Sequence, residues 1–106
     1  MQVDERQDLA KEIFKECLGV LEAKGKAYAG GKDVLSNFKR NAQNLGLSKY
    51  QVLSVYKNKH VDTINNAITD NPFSPKDETE SLHGRIIDNI NYLVILAAML
   101  KEDDLL

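Results

Sequence analysis

The segment Thr79-Glu80-Ser81-Leu82-His83-Gly84-Arg85-Ile86-Ile87-Asp88-Asn89-Ile90-Asn91-Tyr92-Leu93-Val94-Ile95-Leu96-Ala97-Ala98-Met99-Leu100-Lys101 decides the fold. Leu82, Ile86, Ile90, Leu93, Ala97 and Leu100 recur at three- and four-residue spacing, which places them on one face of a helix running from about Thr79 to Lys101. From Leu93 to Leu100 the helix is apolar on every side, so it must be surrounded. In a chain of 106 residues and 11.9 kDa, which is one domain spanning 1–106, such a helix is either central or covered by a second copy. The expectation is an all-α, compact bundle of about four helices with a long apolar C-terminal helix, forming a homo-oligomer.

The rest of the chain supplies the other helices. Leu9, Ile13, Cys17 and Val20/Leu21 form an amphipathic pattern from Asp4 to about Lys24. Tyr28-Ala29-Gly30-Gly31-Lys32 then reads as a loop. Asp33 is placed to cap a second helix with Val34/Leu35, Phe38, Ala42 and Leu45 on one face and Gly46 as its left-handed terminator. Ser48 with Gln51 three residues on has the form of a capping box, and Leu47 with Val52 that of a hydrophobic staple. The third helix should bury Val52/Leu53, Tyr56, His60, Thr63/Ile64 and Ala67. Asn71-Pro72 and Ser74-Pro75 break it, leaving a long connection from Asp70 to Glu78. The acidic tail Glu102-Asp103-Asp104 is expected to fray. Strand alternation and internal repeats are absent from the pattern.

Composition narrows the function. Hydrophobic residues at 42% and charged residues at 28% belong to a folded globular protein. The longest apolar run, Tyr92 to Leu100, falls well short of the roughly 20 residues of a membrane span, and Met1-Gln2-Val3-Asp4-Glu5 is too polar for a signal peptide. The expected setting is the cytoplasm, with no membrane partner. The lone Cys17 reads as a small core residue. Charge is segregated: residues 1–23 carry six acids and three bases, residues 61–106 nine acids and three bases. Residues 24–60 set Lys24, Lys26, Lys32, Lys39, Arg40, Lys49, Lys57 and Lys59 against Asp33 alone, a net of +7. Such a block either pairs with the acidic ends or faces an anionic ligand. Acidic ends oppose a long phosphate track, so no long nucleic acid is expected.

Three constellations carry chemistry. Lys24, Tyr28, Gly30, Gly31 and Lys32 combine lysines with amides freed by glycine and could cradle a phosphate; the alternative is a flexible turn with solvated lysines. His60 beside Lys57 and Lys59 suits a phosphate or a carboxylate partner, and Asp88 is a candidate for the latter; otherwise His60 is a hydrogen-bonded core residue. Gly84, Asp88, Asn91 and Ile95 share a face of the last helix, where the polar pair either meets a ligand or bonds to neighbouring helices, and Gly84 leaves room for a close approach. Four carboxylates for a magnesium site cannot be assembled: Asp77, Glu78 and Glu80 precede the helix, and Glu12 and Glu16 lie on the solvent side of the first one. No metal, cofactor or catalytic residue is therefore assigned.

Lys24-x-x-x-Tyr28-x-Gly30-Gly31, Asn37-Phe38, Lys59-His60 and Gly84-Arg85-Ile86-x-Asp88-x-x-Asn91-Tyr92 together resemble small helical proteins of tailed bacteriophages related to the nucleotide-modification-associated domain 1 family. That family is similar, distantly, to the all-helical MazG-like nucleotide pyrophosphohydrolases. The resemblance covers about residues 20 to 100 and implies an oligomeric helical bundle that handles nucleotides, inside an infected host cell. It implies ligand contacts from Lys24, Tyr28, Gly30, Gly31, Lys32, Asn37, Phe38, Lys59, His60, Arg85, Asp88 and Asn91. The paired Glu-x-x-Glu of the MazG group has no match here. The expected function is binding of a nucleotide or nucleotide-derived signal without turnover, with Tyr28, Phe38 or Tyr56 as the aromatic that stacks the base and sequestration against host defence as a use for it. The alternatives are a magnesium-dependent pyrophosphohydrolase and a protein-binding inhibitor.

Overall fold

The computed structural model describes residues 1–29 and 33–106. Four helices follow one another: α1 Val3–Ala29, α2 Ser36–Leu45, α3 Lys49–Asp70 and α4 Leu82–Glu102. Among the described residues there is no strand. No helix is long and apolar enough to cross a membrane. The core is built by α2, α3 and α4: Leu35, Phe38, Ala42, Val52, Leu53 and Met99 form one buried cluster, and Tyr50, Tyr92, Ile95 and Leu96 pack around it.

Helix boundaries follow local chemistry. α1 continues past Lys24 through Gly25, because Ala23, Lys24, Lys26 and Ala27 are good helix formers that offset the ~1 kcal/mol cost of one glycine. Asp33 does not cap α2. Its Oδ1 accepts from the Leu35 amide at 2.9 Å and its carbonyl from the Ser36 amide, so it makes the turn before the helix, and Leu35 occupies the cap position without a side-chain bond. Gly46, at φ 68°, ends α2 as its left-handed terminator, with the Leu47 amide returning to the Ala42 carbonyl. The capping box forms: Ser48 Oγ accepts from the Gln51 amide and Gln51 Oε1 from the Ser48 amide. α4 begins later than its pattern suggests. Ser81 is the cap, accepting from the Gly84 amide at 3.0 Å, while Thr79 is held in the preceding bend by Asp77 Oδ1.

The packing differs from the expected stripes in four places. Val34 and Leu45 of the second helix are exposed, and so is Leu9 of the first. Tyr56 is not in the α3 core but at its rim, 37% exposed. The face that α4 buries is Arg85, Ile87, Asn91 and Met99, whereas no member of the stripe Leu82, Ile86, Ile90, Leu93, Ala97 and Leu100 is fully buried: Ile86 and Leu93 face outward at 41% and 55% exposure, and the other four are half-buried. Arg85 favours this phase, because its partners Asp77, Thr79, Glu80 and His60 all lie on α3 and the connecting loop. Finally, the acidic tail is tied down: Lys49 Nζ reaches Glu102 and Asp103 at 3.2 and 3.0 Å, and Tyr50 donates to Asp103 at 2.6 Å. Lys39 bridges Asp33 and Glu102 at 2.8 Å each and is pushed up to about 12 by those two hydrogen bonds. Part of the basic block thus neutralises the acidic C-terminal end.

The α3–α4 junction is polar and centred on a buried arginine. Arg85 is 5% exposed; its Nε donates to Asp77 at 2.9 Å, Nη1 lies 3.2 Å from Glu80 and 3.1 Å from His60 Nδ1, and Nη2 donates to Thr79. The Thr79 amide, with Arg85, holds the Asp77 carboxyl down at about 2. Burial, reinforced by the Arg85 charge, pushes His60 below its usual 6.5 against the opposing pull of Asp88. His60 is therefore a neutral acceptor for Arg85 at Nδ1, with its proton on Nε2.

Two predictions follow from this packing. Met99 has no exposed surface, so Met99→Ala should destabilise the fold by about 2–5 kcal/mol in denaturant unfolding. His60 and Asp77 both bind protons more weakly in the folded chain than in the unfolded one. Their stabilisation is complete above 6.5 and 3.8 respectively and is lost as the pH falls below those values, for Asp77 through about 2. The Tm should therefore drop between pH 8 and pH 5, and His60→Gln, which keeps an acceptor but does not titrate, should flatten that drop. An unchanged slope in the variant would show that His60 is not the group responsible.

Candidate functional site

A cavity of about 520 Å³ opens between the second half of α1, the start of α2, Tyr56 of α3 and the middle of α4. Its volume falls within the roughly 300–1,000 Å³ of small-molecule sites. Aromatic rings line it from three helices. Phe38 and Tyr56 meet at 5.9 Å between centroids, tilted by 57°, and Tyr92 backs onto His60 at 5.5 Å. Asn41 donates to the Tyr56 hydroxyl at 3.3 Å, which fixes that ring at the rim.

The polar groups come from α1, α2 and α4. Asn37 is bound through its Oδ1 by Arg40 at 2.8 Å and borders the cavity. Lys24, half-exposed, extends toward Asp88, with Nζ 3.5 Å from Oδ1. Asp88 Oδ2 lies 3.7 Å from His60 Nδ1. Both distances are long for a hydrogen bond, and the neutral His60 offers no proton at Nδ1, so the carboxylate keeps acceptor capacity. Among the described residues, Asp88 is the only acidic side chain lining the cavity. One turn on, Asn91 is 5% exposed, and among the described residues neither its Oδ1 nor its Nδ2 has a hydrogen-bond partner. An unpaired buried amide carries a penalty of about 1–3 kcal/mol, and here it stands in the cavity wall.

Five of the twelve residues singled out from the sequence line this one cavity: Lys24, Asn37, Phe38, Asp88 and Asn91. His60 and Arg85 stand behind the α4 wall, where they hold one another and, through Tyr92 and Asp88, the cavity face. Lys59 is exposed and outside the lining. Gly30, Gly31, Lys32 and the side chain of Tyr28 lie outside the described residues. The ion pair considered for His60 and Asp88 gives way to an Arg85–His60 hydrogen bond, because burial keeps the imidazole neutral. Gly84 does not admit another helix. A Cβ there would meet only the side chains of Ser81 and Glu80, at 3.2 and 3.3 Å.

Of the aromatics considered for stacking a base, Phe38 and Tyr56 line the cavity, and Tyr92 joins them although the site residues read from the sequence omit it. Tyr92 was within reach, since it adjoins Asn91 and lies one turn beyond Asp88; Tyr56 reads equally well as core. Glu16, expected to face solvent only, ties α1 to α4 through His83 Nε2 at 2.7 Å. Among the described residues no three His, Cys, Asp or Glu side chains gather where they could hold a metal ion. No protein-family model, curated protein or solved structure matches this chain, so its function has to be read from the cavity and its walls.

Proposed function

We propose that this chain binds a nucleotide or nucleotide-derived signal in the α1–α2–α4 cavity, without turning it over. The base lies among Phe38, Tyr56 and Tyr92, and the phosphate points out past Lys24. The observation that carries this reading is Asn91: a buried amide with neither atom paired, in the wall of an aromatic cavity, is costly in the empty protein and is relieved by a ligand edge. Aromatic faces favour a planar ligand, and the exposed side of Lys24 favours an anionic one. Sequestration is the role that binding without turnover gives.

A thermal-shift series against mono-, di-, tri- and cyclic nucleotides tests this. A ligand at ten times its Kd adds about 1.4 kcal/mol and raises the Tm by several degrees. Lys24→Ala should weaken a nucleotide by roughly fivefold, about 1 kcal/mol for a half-exposed charge, and should leave the nucleoside unaffected. Asn91→Leu should stabilise the empty protein, because it removes the unpaired amide, and should abolish the shift. A variant both less stable and fully binding would overturn the assignment. Product analysis with magnesium in the same samples decides turnover, and pyrophosphate release that Asp88→Asn abolishes would make the protein an enzyme.

We further propose that the outward stripe of α4 is covered by a second copy of the chain. Ile86 and Leu93 are exposed and Leu82, Ile90, Ala97 and Leu100 half-exposed along a stripe that carries no charge, so pairing it with itself opposes no like charges. Light scattering should give a dimer at micromolar concentration, and Leu93→Glu should give a folded monomer. A monomeric mass for the unmodified protein would refute the contact.

A further inference from the structure

Resting on the nucleotide reading, we propose that the cavity selects a base that carries an exocyclic amino group, as in cytosine, guanine and adenine, over bases with oxo groups alone. Asp88 and Asn91 are three residues apart on α4, so their side chains stand on one face in adjacent turns, and both border the cavity. Between them they present three hydrogen-bonding positions. Asn91 offers one donor, Nδ2, and one acceptor, Oδ1, both unpaired; Asp88 offers only acceptors, which Lys24 and His60 approach no closer than 3.5 and 3.7 Å.

Every common base has an edge with one donor beside one acceptor, so Asn91 alone does not discriminate. Its amide rotates to suit, since the terminal torsion of asparagine is broad. Both amide atoms are out of reach of water in the empty structure, so pairing with a base also requires a change of χ1 that turns the amide into the cavity. Discrimination falls to the third position. In guanine the O6 and N1–H pair with Asn91, and the 2-amino group beside them donates to Asp88. In cytosine and adenine the ring nitrogen and one amino hydrogen pair with Asn91, leaving the second amino hydrogen for the carboxylate. Uracil, thymine and hypoxanthine have no such donor. The two pyrimidines turn a carbonyl lone pair toward Asp88, and hypoxanthine turns a C–H. A site with a buried acceptor left unpaired rejects such a ligand strongly, because the loss is the full desolvation of that group.

The test uses two matched pairs, cytidine against uridine and guanosine against inosine, by calorimetry and thermal shift on the unmodified protein. Within each pair the exocyclic amino group is present in one member and missing from the other. The amino member of each pair should bind at least about tenfold more tightly, and Asp88→Asn, whose amide can donate as well as accept, should reduce that ratio toward one with the apo Tm little changed. Equal binding within both pairs would overturn the amino-group inference and leave the nucleotide reading standing. Failure of all four nucleosides to bind would overturn both together. A preference that survives Asp88→Asn would assign the selection to another wall of the cavity and so refute the role given to Asp88.

Discussion

The guanidinium of Arg85 joins α4 to α3 and to the loop that connects them. A charge so deeply buried persists only with partners of good geometry, and Arg85 has them on every side: Asp77, Thr79 and Glu80 from the connecting loop and His60 from α3. Those bonds dock a loop broken by two prolines, and they set the rotation of α4 about its own axis. The rest of α4 follows from that rotation. Met99 and Leu96 go into the core with Leu53 and Phe38, Asp88 and Asn91 go to the cavity, and Ile86 and Leu93 are left facing out. A helix with so many leucines and isoleucines could satisfy the hydrophobic effect in several orientations, but few of them would give Arg85 a carboxylate.

The segregated charge of the chain has two fates. Lys39 and Lys49 neutralise Glu102 and Asp103, which joins the N-terminal ends of α2 and α3 to the C-terminal end of α4, and Asp33 and Tyr50 complete that network. Lys24 does something else, holding an interhelical partner loosely while half its side chain meets water. Exposed pairs contribute little to stability, typically below about 1 kcal/mol, so the first group mainly fixes which helix ends meet. The second leaves a cation at the mouth of an aromatic cavity.

Much of the architecture was legible in the sequence because it rests on local chemistry. The Ser48–Gln51 box and the left-handed Gly46 are set within a few residues, and both form as their residue types dictate. The buried residues of α3 came out nearly whole, since Val52, Leu53, His60 and Ala67 recur at helical spacing. The phase of α4 was not legible: its outward stripe is the more regular apolar pattern, and the inward one is interrupted by Arg85, Asp88 and Asn91. Periodicity weighs apolar residues alone, whereas the structure follows the partners of the polar ones. Asp77 shows the same limit. In the sequence it is one acid among several near two prolines, and only the fold reveals that it is the buried counterion of an arginine eight residues later. At the site, Asp88 and Asn91 could be paired from their spacing, but Tyr56 needed the α2–α3 packing that swings it to the rim.

Asn91 gives this reasoning its functional direction. Selection for stability alone would favour an aliphatic side chain at a wall position between Ile87 and Ile95, where a leucine would bury apolar surface and leave nothing unpaired. Most neighbouring polar residues are explained without a ligand, Arg85 by Asp77, His60 by Arg85, Lys24 and Asp88 by one another, while Asn89 Oδ1 is also buried without a partner among the described residues but lies outside the cavity lining. Asn91, with both amide atoms unpaired, borders the cavity of about 520 Å³. A bundle this small has little stability to spare, on the order of 5–15 kcal/mol in total, so an unrelieved penalty of one to three is a substantial fraction of it. The simplest physical account of such a residue is that the state in which it is paired is the state with the cavity filled.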